Sequence, residues 1–294
     1  MSLRVEFLGT SGAFPTPRPL CGCAVCQQAR EHGVPYARNN PSVFIHGPDV
    51  LIDTPGEILD QLNRSSVEQI AACFYSHWHP DHTMGRHIFS TLNHGFPVWP
   101  YQPRRTTPLY LPQQVAADTR SFLGIWDHLT YLEQQERVVE IHELRDGETV
   151  EIGGVRIRPL RLAQDFVYAF LFDDGDKRLL VVMDEIDGWE PPEEAKGVDL
   201  AIVPMGISAF HPLTGERRIP KEHPVFDEGD ETMHEATFPE TLDIVKKLNA
   251  QRVVMTHIEE TDGLSHDDLV QLGERLQGEG LDLTFAFDTQ IVEV

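Results

Sequence analysis

Along most of the chain, apolar residues alternate with polar ones or cluster in short runs, the patterns of half-buried and fully buried strands. In the first half these stretches are 3–9 (LRVEFLG), 42–47 (SVFIHG), 50–53 (VLID) and 71–76 (AACFYS). In the second half they are 155–162 (VRIRPLRL), 167–172 (VYAFLF), 178–184 (RLLVVMD), 199–204 (DLAIVP) and 252–257 (RVVMTH). Two segments change to helical spacing. Thr237 and Glu240 form a capping-box pair ahead of Leu242, Val245 and Leu248, and Ser265 and Asp268 stand likewise before Leu269, Leu272 and Leu276. Strands mixed with helices in both halves predict a layered α/β sandwich. A chain of 294 residues can bury one large core, so a single domain over 1–294 is expected. Loop insertions are expected near 93–130, which opens with Pro97, Pro100, Pro103, Pro108 and Pro112, and near 209–233, which is rich in proline, glycine and charge.

Composition narrows the classes. Lys plus Arg number 24 against 47 Asp plus Glu, a formal net charge of −23. Nucleic-acid affinity rests on cations that neutralise phosphates, so this balance argues against a polynucleotide partner. No run approaches the roughly 20 apolar residues that cross a bilayer, and MSLRVEFLG enters a strand pattern without a basic or apolar leader. A cytoplasmic protein without membrane contact is expected. Of four cysteines, Cys21, Cys23 and Cys26 crowd into CGCAVC, and in a reducing compartment such spacing points to metal rather than disulfides. Cys73, inside AACFYS, reads as a small core residue.

The densest chemistry follows the 71–76 strand, in Ser76-His77-Trp78-His79-Pro80-Asp81-His82. Four potential metal ligands in six residues are costly to bury unless something pairs with them, and Pro80 suits a fixed loop. Asp184 and His257 each close an apolar strand, where α/β folds place binding groups. Imidazole and carboxylate suit Zn, Mn or Fe alike.

The H-x-H-x-D-H block resembles the signature of the metallo-β-lactamase superfamily. Asp53 in VLIDTPG is similar to that family's aspartate bracing the histidine loop. The resemblance covers essentially the whole chain and implies a four-layer αβ/βα sandwich with the metals at one edge. It further implies His77 and His79 on a first metal, Asp81, His82 and His257 on a second, and Asp184 shared. One or two Zn²⁺ or Mn²⁺ ions are the implied active-site cofactors. The family's further histidine before the 167–172 strand is absent; Leu162-Ala163-Gln164-Asp165-Phe166 stands there, and Asp165 is expected to take the ligand position ahead of Gln164.

Within the superfamily, FLGTSGAFPTP resembles both tRNA 3′-processing endonucleases and cyclic phosphodiesterases, whereas the cysteine cluster resembles the phosphoribosyl 1,2-cyclic phosphate phosphodiesterases and the pyrroloquinoline quinone biosynthesis B proteins. The resemblance implies a structural Zn²⁺ on Cys21, Cys23 and Cys26, completed here by Glu260, with Glu259 and His266 as fallbacks. It implies hydrolysis of a small cyclic or nucleotide-like phosphodiester, in which metal-bound hydroxide attacks phosphorus. Asp81 and His234 are the catalytic candidates, His234 as proton donor to the leaving oxygen. The alternatives are a tRNA 3′-processing-like endonuclease and a mononuclear, non-hydrolytic relative of the biosynthesis protein. Arg217, Arg218 and Lys221 form a basic island, one member of which is expected to meet a substrate phosphate. Expected partners are thus a small phosphorylated substrate and at most a second copy of the chain.

Overall fold

The structure is a computed structural model, and residues 2–96, 99–220, 235–259 and 263–294 are described. Two seven-stranded sheets face each other. The first comprises β1 (Arg4–Gly9), β2 (Ser42–His46), β3 (Val50–Ile52) and β4 (Ala72–Phe74), together with three later strands. A short hairpin of β5 (His94–Gly95) and β6 (Gln102–Pro103) precedes β7 (Thr107–Pro112) and β8 (Val139–Leu144), which extend that sheet. The second sheet begins with β9 (Val150–Ile152), β10 (Val155–Arg161) and β11 (Tyr168–Asp173). It continues through β12 (Arg178–Val181), β13 (Leu200–Pro204), β14 (Arg252–Thr256) and β15 (Leu283–Phe285). β16 (Ile291–Glu293) returns to the first sheet beside β1.

Three apolar clusters show why the sequence layers itself. Between the sheets, Val5, Phe7, Val43, Ile45, Ile52 and Phe74 meet Ile157, Phe170, Phe172, Val181, Ile202 and Val254. The alternate residues of the same strands face outward onto helices, the consequence of a period of two. Phe44, Leu51 and Cys73 pack under α2 (Ile58–Arg64), α4 (Ile88–Asn93), α5 (Gln113–Ser121) and α6 (Ile125–Tyr131). Ala201, Val203, Val253 and Met255 pack under α7 (Phe238–Leu248) and α8 (His266–Gly278). Helix, sheet, sheet, helix is the expected αβ/βα sandwich. Both capping boxes form: Thr237 and Ser265 accept from the backbone N–H of Glu240 and Asp268, whose carboxylates reach back.

The loop insertion expected near 93–130 needs correction. Thr107–Pro112 is an interior strand, paired in parallel with β4 on one side and β8 on the other. Two helices, α5 and α6, then occupy 113–131. Prolines suggested irregularity, but Pro108 and Pro112 fall at the ends of TPLYLP, and burial of Leu109 and Leu111 decides the strand. Of the second stretch, residues 209–220 form a tight turn in which Phe210 pairs with Arg217, and 221–233 lie outside the described residues.

Candidate metal centre

Parallel pairing of β3, β4 and β7, and of β12 to β15, sends their carboxyl ends to one edge of the sandwich. Asp53 follows β3, the histidine block follows β4, Asp184 lies just past β12, and His257 follows β14. Asp53 and His257 leave their strands with left-handed φ values of 63° and 50°, and Glu185 beside Asp184 does so at 48°. Non-glycine residues hold that conformation at a cost, and such positions concentrate at functional sites.

Two groups of donors converge. His77, His79 and Asp184 make one, and Asp81, His82, Asp184 and His257 make the other, with the ligand atoms of each group within 4.8 Å of one another. Asp184 belongs to both: its Oδ2 lies 3.5 Å from His77 Nε2, 3.8 Å from His82 Nε2 and 3.4 Å from His257 Nε2. Asp81 Oδ2 is 3.3 Å from His82 Nε2 and 3.6 Å from His257 Nε2.

The other ring nitrogen of each buried histidine is braced. His82 Nδ1 sits 2.7 Å from Asp53 Oδ2, and the same carboxylate accepts from Ser76 N at 2.8 Å and Ser76 Oγ at 2.6 Å. With its proton committed to Asp53, Ser76 Oγ is the acceptor for His77 Nδ1 at 3.0 Å. His257 Nδ1 is 3.3 Å from Glu259 Oε1. Pinning Nδ1–H leaves the lone pair on Nε2, the tautomer that coordinates. The Nε2 atoms of His77, His82 and His257 are buried without a hydrogen-bond partner. Buried ring nitrogens without a hydrogen-bond partner, turned toward shared carboxylates, are what a cation would satisfy, so the residues fit divalent metal.

Charge in the cluster is strongly coupled. Burial penalises every charged form, but His82 offsets it at Asp81, and His257 and His77 offset it at Asp184, holding both carboxyls far below the usual range. Burial is likewise outweighed at His82, where Asp81 and Asp53 raise the imidazole to about 10. His79 goes the other way, to about 4, through burial and then His77. Three further carboxylates border the centre. Burial, then Asp184, pushes Glu185 up to about 8, and burial, then Glu259 and Asp184, pushes Glu235 up to about 7. The third, Glu259, closes on Ala13 N at 3.3 Å, and a Cβ at Gly12 would lie 2.0 Å from its carboxylate. The GTSG turn therefore needs glycine there for Glu259 to reach His257.

His77, His79, Asp81, His82, Asp184 and His257 are thus brought together. Asp165 is not, which corrects the expectation that it replaces the missing histidine. Its side chain is 85 % exposed and faces Arg161 Nε at 3.6 Å. Gln164 turns to Asp187. The flank of the first group is instead walled by Phe166, whose ring centroid is 5.3 Å from that of His79 and 6.0 Å from that of His77. The turn from Leu162 to Val167 closes with hydrogen bonds at both ends, and that local geometry aims Asp165 outward.

Cys21, Cys23 and Cys26 gather with their sulfurs within 4.8 Å of one another. Cys23 caps the helix α1 (Ala24–His32), its Sγ accepting from Cys26 N at 3.4 Å. Hydrogen bonding from the Cys23 backbone lowers Cys21 to about 7, while burial raises Cys26 to about 11. Neither fallback joins the sulfurs: Glu259 is engaged with His257, and His266 packs on Tyr36 and Phe287. Glu260, His234 and Lys221 lie outside the described residues. Ser76, Glu185, Glu235, Glu259 as a brace and Phe166 escaped the sequence reading. Only Glu235 and Glu259 carried a signal, as acids within two residues of candidate histidines.

A family model described as "Beta-lactamase superfamily domain" matches residues 49–258, more than two thirds of the chain. No curated protein matches. Among solved structures, a diphosphatase of the PhnP family is similar with a TM-score of 0.69 and 21 % identity, over 100 % of this chain and 98 % of that one. Zn²⁺-bound PqqB from Methylobacterium extorquens gives 0.66 and 17 %, over 99 % and 100 %. The short form of human tRNase Z gives 0.58 and 17 %, over 98 % of each chain. At these identities the likeness concerns the fold. With the family match across both donor groups, the strand-edge convergence places this chain in the metallo-β-lactamase superfamily.

Proposed function

We propose that the protein is a metal-dependent phosphodiesterase acting on a small cyclic or nucleotide-like phosphodiester. The observation that carries this reading is the pair of donor groups sharing Asp184. When bound, two divalent cations at such donors activate water and stabilise charge developing on a phosphoryl oxygen. His77, His79, Asp81, His82, Asp184 and His257 would hold them, Zn²⁺ or Mn²⁺ being compatible with nitrogen and carboxylate oxygen alike. Asp53, Ser76 and Glu259 fix the rings, so that no reorganisation is needed when substrate arrives. His234, next in sequence to the cleft residue Glu235, is assigned the proton for the leaving oxygen. The three thiols form a separate structural zinc site, for which Glu260 remains the proposed fourth ligand.

A net charge of −23 supports a small substrate over a polynucleotide. Loaded with Mn²⁺ or Zn²⁺, the protein should turn over bis(p-nitrophenyl) phosphate, and His257→Ala should abolish turnover. A fully loaded protein inert toward the diester would overturn the reading. The Phe166 wall favours one alternative, a mononuclear centre with non-hydrolytic chemistry. A single ion at the centre together with absent diester turnover would establish it.

A further inference from the structure

We propose that Arg218 is a specificity residue that selects substrates carrying a second phosphate, remote from the reacting one. The proposal rests on the phosphodiesterase reading for its catalytic meaning, but the anion preference can be measured without turnover.

A cleft of about 860 Å³ adjoins the metal centre, within the range of roughly 300–1,000 Å³ that encloses a whole small molecule. Glu235 and Glu259 line it, and Glu259 touches His257, so the cleft reaches the reacting end. Phe14, 62 % exposed, gives its wall an apolar face. Among the described residues, two cations line the same cleft, Arg18 and Arg218.

Their surroundings separate them. Arg18 Nη2 lies 3.3 Å from Cys21 Sγ, so its guanidinium is tied to the thiol cluster. Among the described residues Arg218 is held through neutral backbone: its N donates to Ala209 O at 2.8 Å, and Nη2 meets Gly263 O at 3.4 Å. Gly263 has a φ of +63°, and a Cβ there would fall 1.7 Å from Arg218 Nη2, so only glycine lets the guanidinium lie across it. Among the described residues Arg218 has no carboxylate partner, and a carbonyl leaves its charge uncompensated. Of the three acids that share the wall, Asp268 accepts from Ser265 N and Oγ and Glu259 from Ala13 N and His257, while Glu235 makes no ion pair with Arg218 among the described residues.

Arg217 is excluded by direction. Its guanidinium lies 4.5 Å over the Phe210 ring, Nη1 donates to Ile219 O at 3.2 Å, and it lines a different cavity of about 500 Å³. The neighbouring arginines thus line different cavities, and the basic island of the sequence splits. A planar guanidinium with several donors matches a phosphate bidentately, which an ammonium cannot do. In a protein this acidic, one such group in the cleft would discriminate by charge as well as shape.

Isothermal titration of adenosine 3′,5′-bisphosphate and of adenosine 5′-monophosphate into the metal-loaded full chain tests this. The wild type should bind the bisphosphate at least tenfold more tightly than the monophosphate. Arg218→Gln should bring that ratio to near one, Arg218→Lys should leave part of it, and Arg217→Gln should leave all of it. Circular dichroism confirms that each variant is folded. A wild-type ratio near one, a ratio that survives Arg218→Gln, or an equal loss in Arg217→Gln would overturn the proposal. A bisphosphate preference in a protein that cleaves no diester would instead remove the phosphodiesterase reading and leave the anion site standing.

Discussion

Replacing Asp53 with Asn preserves size and left-handed backbone, since Asn adopts φ near +60° as readily as Asp, and changes only charge and donor pattern. Asp53 is fully buried and accepts three hydrogen bonds, from Ser76 N, Ser76 Oγ and His82 Nδ1, at 2.6–2.8 Å. An amide has one acceptor oxygen where the carboxylate has two, so its NH₂ group must face at least one of these donors. If it faces His82, Nδ1 becomes the acceptor, the proton moves to Nε2, and the ring can no longer coordinate. If it faces Ser76 N–H, that buried donor is orphaned, at a cost of about 1–3 kcal/mol in stability. Loss of a ligand-orienting partner weakens metal binding by typically 10- to 100-fold, equivalent to about 1.4–2.7 kcal/mol. Competition against a chromophoric chelator at fixed pH should show this loss at the tighter-binding metal, with the far-ultraviolet dichroism unchanged. An Asp53→Asn affinity within threefold of wild type would refute the view that Asp53 sets the His82 tautomer.

Other consequences are open to measurement. Three donors against four should separate the two metal affinities, so dialysis against a weak chelator should remove one ion before the other. By elemental analysis, His79→Ala should lower the stoichiometry by one, whereas Asp165→Ala should change nothing. Because Asp81 and Asp53 raise His82 to about 10 in the metal-free protein, coordination near neutral pH must expel its proton. Affinity should therefore rise with pH up to that value, and calorimetry in buffers of different ionisation enthalpy should detect released protons. The same raised value stabilises the metal-free fold fully below pH 6.5, and that stability is lost as pH rises through about 10. The metal-free melting temperature should fall across that interval more than that of the loaded protein. Finally, Cys23→Ser keeps a good helix cap but loses a thiolate, so zinc content should drop by one ion while α1 and diester turnover persist.

The sequence by itself determined the local half of this protein. Strand periodicity and both capping boxes need only neighbours in the chain and appear where the pattern placed them; the His77–His82 block follows β4 as expected, but Pro80 opens a short helix, α3 (Pro80–Thr83), and not the fixed loop expected of it. The family match spans that block, Asp184 and His257, whose positions at strand ends were legible because strand ends are local features. What failed depended on direction. Asp165 had suitable chemistry but turns outward, and Phe166 takes the flank, because the 162–167 turn fixes both orientations. The 107–112 strand was hidden by its prolines and formed because β4 and β8 bury it from both sides.

Tertiary structure alone decided which partners meet. Glu259 acts on His257 only because Gly12, far away in sequence, lets its carboxylate pass, and the Arg218 guanidinium lies where it does only because Gly263, also far away, has no side chain to block it. Periodicity records which face of an element is buried, and a residue's type records what chemistry it can do. The distance and angle between groups far apart in the chain are set by packing, which neither of these encodes.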